Sequence, residues 1–282
     1  MKLLCLILLA LLSLGDGKAL AAETTPAEQS AHANETAGLK ADVQRLTAAL
    51  AVTPDSIRLL SQRGDALLFL GRFQESVADF EKMIALDSAQ DAPHWRLGIA
   101  YYYAGEFAKS SAQFLKYQSY EAGDRENGIW KFMADVPVHG LEKARTMMVE
   151  YTRFDREPFP DLYRMFAGTL TGDEVFSALK TKGLARDGAP QFFAHYYVGV
   201  NEGLLGRREQ ALALLNKAVD SAWGRTAEGG PAYMWRCARL HRDQLAAKAI
   251  PAAPAAPAAP AEPEAPAPAT PSGNPAAQPK VF

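Results

Sequence analysis

Two histidines, His94 and His195, and one acidic pair, Asp155 and Glu157, are the residues of this chain best equipped for chemistry. Imidazoles ligate metals or carry protons near neutral pH, and two carboxylates can divide acid and base roles. Neither set has the company it would need. The histidines lie 195 − 94 = 101 residues apart, and Asp155 and Glu157 stand beside Pro158 in a loop with no acid–base partner near them. The chain has no HExxH metal motif, no paired CxxC, no GxSxG nucleophile turn and no GxxxxGK[ST] phosphate cradle. The two cysteines, Cys5 and Cys237, lie far apart. Once a leader carrying Cys5 is removed, Cys237 has nothing to pair with and reads as a buried, inert thiol. These absences point away from an enzyme, a metal site or a cofactor site.

The elements that position these residues follow a helix–turn–helix unit written twice over residues 57–122. When Gly64 is laid on Gly98, Leu67 meets Tyr101, Gly71 meets Gly105, Phe73 meets Phe107, Ser76 meets Ser110 and Phe80 meets Phe114. The offset is 98 − 64 = 34 residues. Glycine and serine let two antiparallel helices approach, phenylalanine fills the space beside them, and Gly71 and Gly105 suit the left-handed backbone that ends a helix. This 34-residue pattern resembles the tetratricopeptide repeat (TPR) family. The resemblance implies an all-α solenoid of stacked helical hairpins, because one hairpin cannot bury its apolar face alone.

A third copy runs over residues 192–223, with Gly199 and Gly206 as the two glycines and Ala211, Leu215 and Ala218 in the places of Ser76, Phe80 and Met83. From Gly98 to Gly199 is 101 residues, one short of three periods, which leaves room for two degenerate repeats. Helices are expected there over 128–135, 141–151, 161–170 and 173–182, with Gly140 and Gly172 as turns and Pro137, Pro158 and Pro160 as breakers. Residues 39–51 read as the second helix of an incomplete leading repeat. Residues 231–247 read as a final helix whose Arg236, Arg239, His241 and Arg242 make a solvated outer cap.

Residues 1–21 have the form of a secretory signal: Lys2, an apolar run from Leu3 to Leu14, then Ala19-Leu20-Ala21. The apolar run is 14 − 3 + 1 = 12 residues, short of the ~20 that span a membrane. The mature chain is therefore expected to be exported, without an integral span. Residues 22–38 read as a flexible leader, 39–248 as the repeat domain and 249–282 as a disordered Pro/Ala-rich tail that holds ten of the eighteen prolines. The net charge of −2 becomes −3 when Lys2, Lys18 and Asp16 leave with the signal. No basic patch interleaved with aromatics appears, which argues against nucleic acid.

The run from His94 to Gly105, followed by Trp130, is similar to an exported bacterial TPR family. That family includes an outer-membrane TPR lipoprotein that acts as an adaptor for peptidoglycan hydrolases and a periplasmic protease. The resemblance covers roughly residues 59–240. One departure stands out: no lipobox cysteine follows the apolar run, so a lipid tether is not implied. Carried over residue by residue, the family's groove-lining positions fall on Ser61, Asp65, Leu68 and Phe69, then Trp95, Ile99, Tyr102 and Tyr103, then Tyr196, Val200, Gly203 and Leu204, with Phe193 one turn earlier. Six aromatics and one aliphatic, Phe69, Trp95, Ile99, Tyr102, Tyr103, Phe193 and Tyr196, are the candidate peptide- or protein-binding set. Aromatics at helical spacing also serve as packing between repeats, and Tyr103 fits that role as well as the other. The implied function is a non-catalytic scaffold for a protein or peptide partner, such as a cell-wall hydrolase or protease, in the periplasm or cell envelope. The alternative is a structural spacer or self-assembly module that uses the solenoid ends or the Pro/Ala tail. Oligomeric state is not legible in these residues.

Overall fold

A computed structural model describes residues 26–247, the side chains of 26–29, 31 and 32 apart. The signal-like segment and the Pro/Ala tail lie outside the described residues. Among the described residues there are thirteen α-helices, one short 3-10 turn at Ser88–Gln90, and no strand. In chain order they are α1 (Pro26–Val52), α2 (Ile57–Phe69), α3 (Phe73–Leu86), α4 (Trp95–Tyr103) and α5 (Phe107–Tyr117). Next come α6 (Arg125–His139), α7 (Leu141–Thr146), α8 (Phe159–Phe166) and α9 (Gly172–Thr181). The last four are α10 (Ala189–Leu204), α11 (Arg208–Asp220), α12 (Ala222–Thr226) and α13 (Gly229–Ala247). Successive helices pair as hairpins and the hairpins stack, which makes an all-α helical-repeat solenoid.

The spacing of the repeat has a direct physical cause. A Cβ on Gly64 would stand 2.5 Å from the Phe80 ring, and one on Gly98 would stand 2.8 Å from the Phe114 ring. The glycine makes room for the phenylalanine, and so the helices close. Ser76 Oγ then donates to the Gly64 carbonyl at 2.7 Å, and Ser110 Oγ to the Gly98 carbonyl at 2.8 Å. In α10 and α11, Ala211 replaces the serine and the hydroxyl bond is gone. The approach survives, with a Cβ on Gly199 falling 3.0 Å from Leu215. Each of these hairpins turns at a left-handed glycine, Gly71, Gly105 or Gly206 (φ +77° to +78°). The residue after each glycine donates its N–H five residues back, as Arg72 does to Leu67.

The middle of the chain supplies two further pairs, α6 with α7 and α8 with α9, and α8 also turns at a left-handed glycine, Gly168 (φ +81°). Three local expectations change. Pro137 does not break a helix: α6 runs through it and closes at Gly140, whose N–H donates to Val136. The expected helix over 141–151 stops at Thr146. Beyond it the chain brings Tyr151 against α6 at Gly128, where a Cβ would meet its hydroxyl at 2.6 Å. Pro160 lies inside the first turn of α8, where a missing N–H costs nothing.

Helix α6 is the centre of the stack. Its residues from Arg125 to Asp135 are all buried, including Lys131 and Asp135, which pair with each other at 2.6 Å. At the N-terminal side α1 begins well before residue 39, and its early turns carry Glu35, which ion-pairs with Arg236 and Arg239 of α13. That contact marks the main departure from expectation. Helix α13 is no outer cap. It lies against α1, α2, α4, α10, α11 and α12, over the face where the candidate residues gather.

Candidate binding face and its resident helix

Four of the candidate residues touch α13. Phe69, at the end of α2, meets Tyr233 edge-on at 4.8 Å, with the Arg236 guanidinium over its ring at 5.4 Å. Trp95, the first residue of α4, meets the same tyrosine at 4.9 Å. Tyr233 therefore sits in an aromatic slot between two repeats. Two turns along α4, Tyr102 stacks on His241 at 6.4 Å and meets Trp130 edge-on at 5.5 Å. The Tyr103 hydroxyl donates to the Cys237 carbonyl at 3.3 Å, while its ring stacks on Phe73. Phe69, Trp95 and Tyr102 are half-buried; Ile99, Tyr103, Phe193 and Tyr196 are buried. Tyr196 packs on Tyr197 at 4.5 Å, and Phe193 on Phe159 at 5.0 Å. Ser61 and Asp65, on the same face, accept from Arg96 at 2.9 and 2.5 Å.

Helix α13 leaves part of this face open. A cavity of about 260 Å³ lies beside its first turns, walled by Trp95, Ile99, Trp130, Phe193, Pro231 and Met234. Its polar end holds Glu126 and Arg156, which spacing alone did not single out. Trp130 Nε1 donates to the Tyr197 hydroxyl at 3.1 Å, Tyr197 donates to Glu126 at 2.6 Å, and Arg156 donates to the other oxygen of Glu126. Burial pushes the Glu126 carboxyl up to about 7, against the opposing pull of Arg156 and the Tyr197 hydroxyl. The signal that could have revealed this network was Trp130 with charged neighbours inside a helical stretch, but its partners lie on α10 and in the loop before α8.

The residues that opened the search for chemistry have structural duties. His94 caps α4: its Nδ1 accepts from the Leu97 N–H at 3.2 Å, and its ring packs on Phe80. Burial, helped by Arg96, brings its pKa down to about 4, so it serves as a neutral acceptor. His195 lies against Phe176, and burial with Lys217 nearby also lowers it to about 4. Asp155 accepts from Arg156 and from the Arg125 N–H, whereas Glu157 holds Lys182. Each carboxylate has its own cation, so the two do not act as a pair. Among the described residues no group of His, Cys, Asp and Glu side chains is placed to hold a metal ion. Cys237 is buried, and burial raises its thiol well above the usual range. Among the described residues no helix is long and apolar enough to cross a membrane.

No family model matches the chain. Over 132 residues it is 26% identical to a lipoprotein NlpI homolog of Haemophilus influenzae, an alignment that covers 46% of this chain and 42% of that protein. The aligned part is thus less than half the length of the relative.

Proposed function

We propose that this chain is a non-catalytic TPR-type scaffold that captures a segment of another protein in the bacterial cell envelope. The observation that carries the reading is the aromatic slot itself: Phe69 and Trp95, from two successive repeats, close on a tyrosine presented by a helix. A face that seats one helix through edge-on aromatics has the chemistry to seat another, since tyrosine and tryptophan bury large area at little entropic cost. The likeness to a lipoprotein and the signal-like residues 1–21 support an envelope setting. A cell-wall hydrolase or protease is the class of partner that the resemblance favours.

The test is a crosslinking pull-down from an envelope fraction, with the wild-type chain and the Trp95→Ala/Tyr102→Ala variant side by side and helicity monitored by circular dichroism. Recovery of such an enzyme by wild type and its loss in the variant, at unchanged helicity, is the expected result. Equal recovery by both would move binding off this face. Recovery of nothing by the wild type would contradict the scaffold reading.

A further inference from the structure

Helix α13 occupies the candidate face, yet it is held there thinly. Of its nineteen residues only Met234, Cys237 and Ala238 are buried, and two of those are small. The rest of its hold comes from partly buried side chains: Tyr233 in the aromatic slot, Trp235 with its Nε1 donating to the Val219 carbonyl at 3.0 Å, His241 against Tyr102, Leu240 and Leu245 against the core, and the Arg236 and Arg239 pairs to Glu35. At its far end Arg208 of α11 donates to the carbonyls of Leu245 and Ala246, at 3.3 and 2.9 Å, and so latches the last turn. Of the two arginines only Arg236 reaches solvent, where an ion pair is worth little, and elements with few fully buried apolar side chains open first.

The other end is short and rich in glycine. Only Ala227 and Glu228 separate α12 from α13, and two glycines follow at once. Gly229 is left-handed (φ +60°), and no atom lies within 4 Å of where a Cβ would sit on either glycine. The fit is also incomplete, because the cavity of about 260 Å³ runs along the first turns of the helix, with Pro231 and Met234 among its walls. A bulkier occupant would gain packing that α13 forgoes.

We propose that the face is a helix-binding site blocked by its own α13, and that a partner helix with a matching but fuller side displaces it. This rests on the scaffold reading and specifies the partner. The residues that α13 presents define the match: an aromatic at the Tyr233 place between Phe69 and Trp95, and next to it a large apolar side chain for the cavity. A cation three residues after the aromatic reaches over Phe69 toward Glu35, and small residues follow at the Cys237 and Ala238 places. The partner is thus an amphipathic helix, basic on the edge that faces α1.

Cys237 makes the displacement measurable. Its thiol is buried by the seated helix and becomes reactive only when α13 lifts. The experiment follows alkylation of Cys237 in the full chain by fragment mass, which separates it from Cys5. The probe is a synthetic peptide with the sequence of α13, residues 229–247, carrying Cys237→Ser; a second peptide adds Tyr233→Ala. The expected result is a saturable acceleration of about tenfold with the first peptide and none with the second. Arg208→Ala in the full chain should accelerate labelling on its own, by several-fold, at an unchanged melting temperature. A labelling rate that neither peptide changes, or that both change equally, overturns the proposal. The two readings fail separately. If partners are captured through Trp95 and Tyr102 while Cys237 stays protected from the peptide, displacement falls and the scaffold stands. If the peptide opens the site but no envelope protein is captured, the scaffold falls and the helix exchange stands.

Discussion

Helices α10 and α13 border the same face, and they are built to opposite ends. Ten of the sixteen residues of α10 are buried, whereas three of the nineteen in α13 are. Helix α10 brings Phe192, Phe193, Tyr196 and Tyr197 into the core in one run and ties the Tyr197 hydroxyl into the Trp130–Glu126 network. Helix α13 offers Tyr233, Met234, Trp235, Leu240 and Leu245, most of them only partly buried, beside a row of arginines. On the proposed reading the first is a wall of the site and the second a guest in it. Burial, more than helix length, separates the two, because buried apolar area is the main stabilising contribution.

The largest expected effect sharpens that contrast. Tyr197→Ala should cost about 3–5 kcal/mol in urea unfolding, since it opens a cavity, orphans the buried Trp130 N–H and takes one of its donors from Glu126. Tyr233→Ala, on α13, should cost less, about 2–3 kcal/mol, from its aromatic pairs and the apolar area it buries. Equal losses would break the distinction between wall and guest.

The next effect is one of pH. The folded chain holds a proton on Glu126 up to about pH 7, while the unfolded chain releases it near the ordinary glutamate value. Between those two values the folded state binds more protons, so the unfolding free energy falls as pH rises, by roughly 2–3 kcal/mol, and levels off above 7. Glu126→Gln should flatten that slope in unfolding curves collected from pH 4.5 to 8; a slope that persists in the variant assigns it elsewhere.

A smaller pair of changes lies within α10 itself. Gly199→Ala meets Leu215 at 3.0 Å and should destabilise by about 1–3 kcal/mol. Gly203→Ala has nothing closer than 3.8 Å, the Leu245 side chain of α13 among its neighbours, and should stabilise by about 0.5–1 kcal/mol through helix propensity. Thermal melts of both variants check the sign.

What could be read in the sequence follows the range of the interactions. The Gly64–Phe80 and Gly98–Phe114 approaches and the turns at Gly71 and Gly105 repeat within 34 residues, so spacing alone exposes them. The all-α repeat architecture was legible for that reason. The seat of α13 was not: its Arg239 pairs with Glu35 across 204 residues, and the Tyr103–Cys237 bond spans 134. No local pattern carries such pairings. The arginines of α13 resemble a solvated face because charge on a helix usually marks one, yet Arg239 and Arg242 are largely covered. Helix α6 is charged as well, yet its Arg125, Glu126, Lys131 and Asp135 are buried, because each finds a partner: Arg125 over the Tyr151 ring, Glu126 with Arg156, and Lys131 with Asp135.

The central claim is that a segment of another protein occupies the face where α13 now lies. The direct measurement places a photo-crosslinking p-benzoylphenylalanine at position 69, where Phe69 already presents a ring to Tyr233, and irradiates cells that export the chain. The account predicts a crosslinked band heavier than the chain that contains a second protein joined at position 69. It also predicts that this band weakens when the α13 peptide is added to the isolated envelope before irradiation. Crosslinks confined to α13 of the same chain, under every condition, would contradict it.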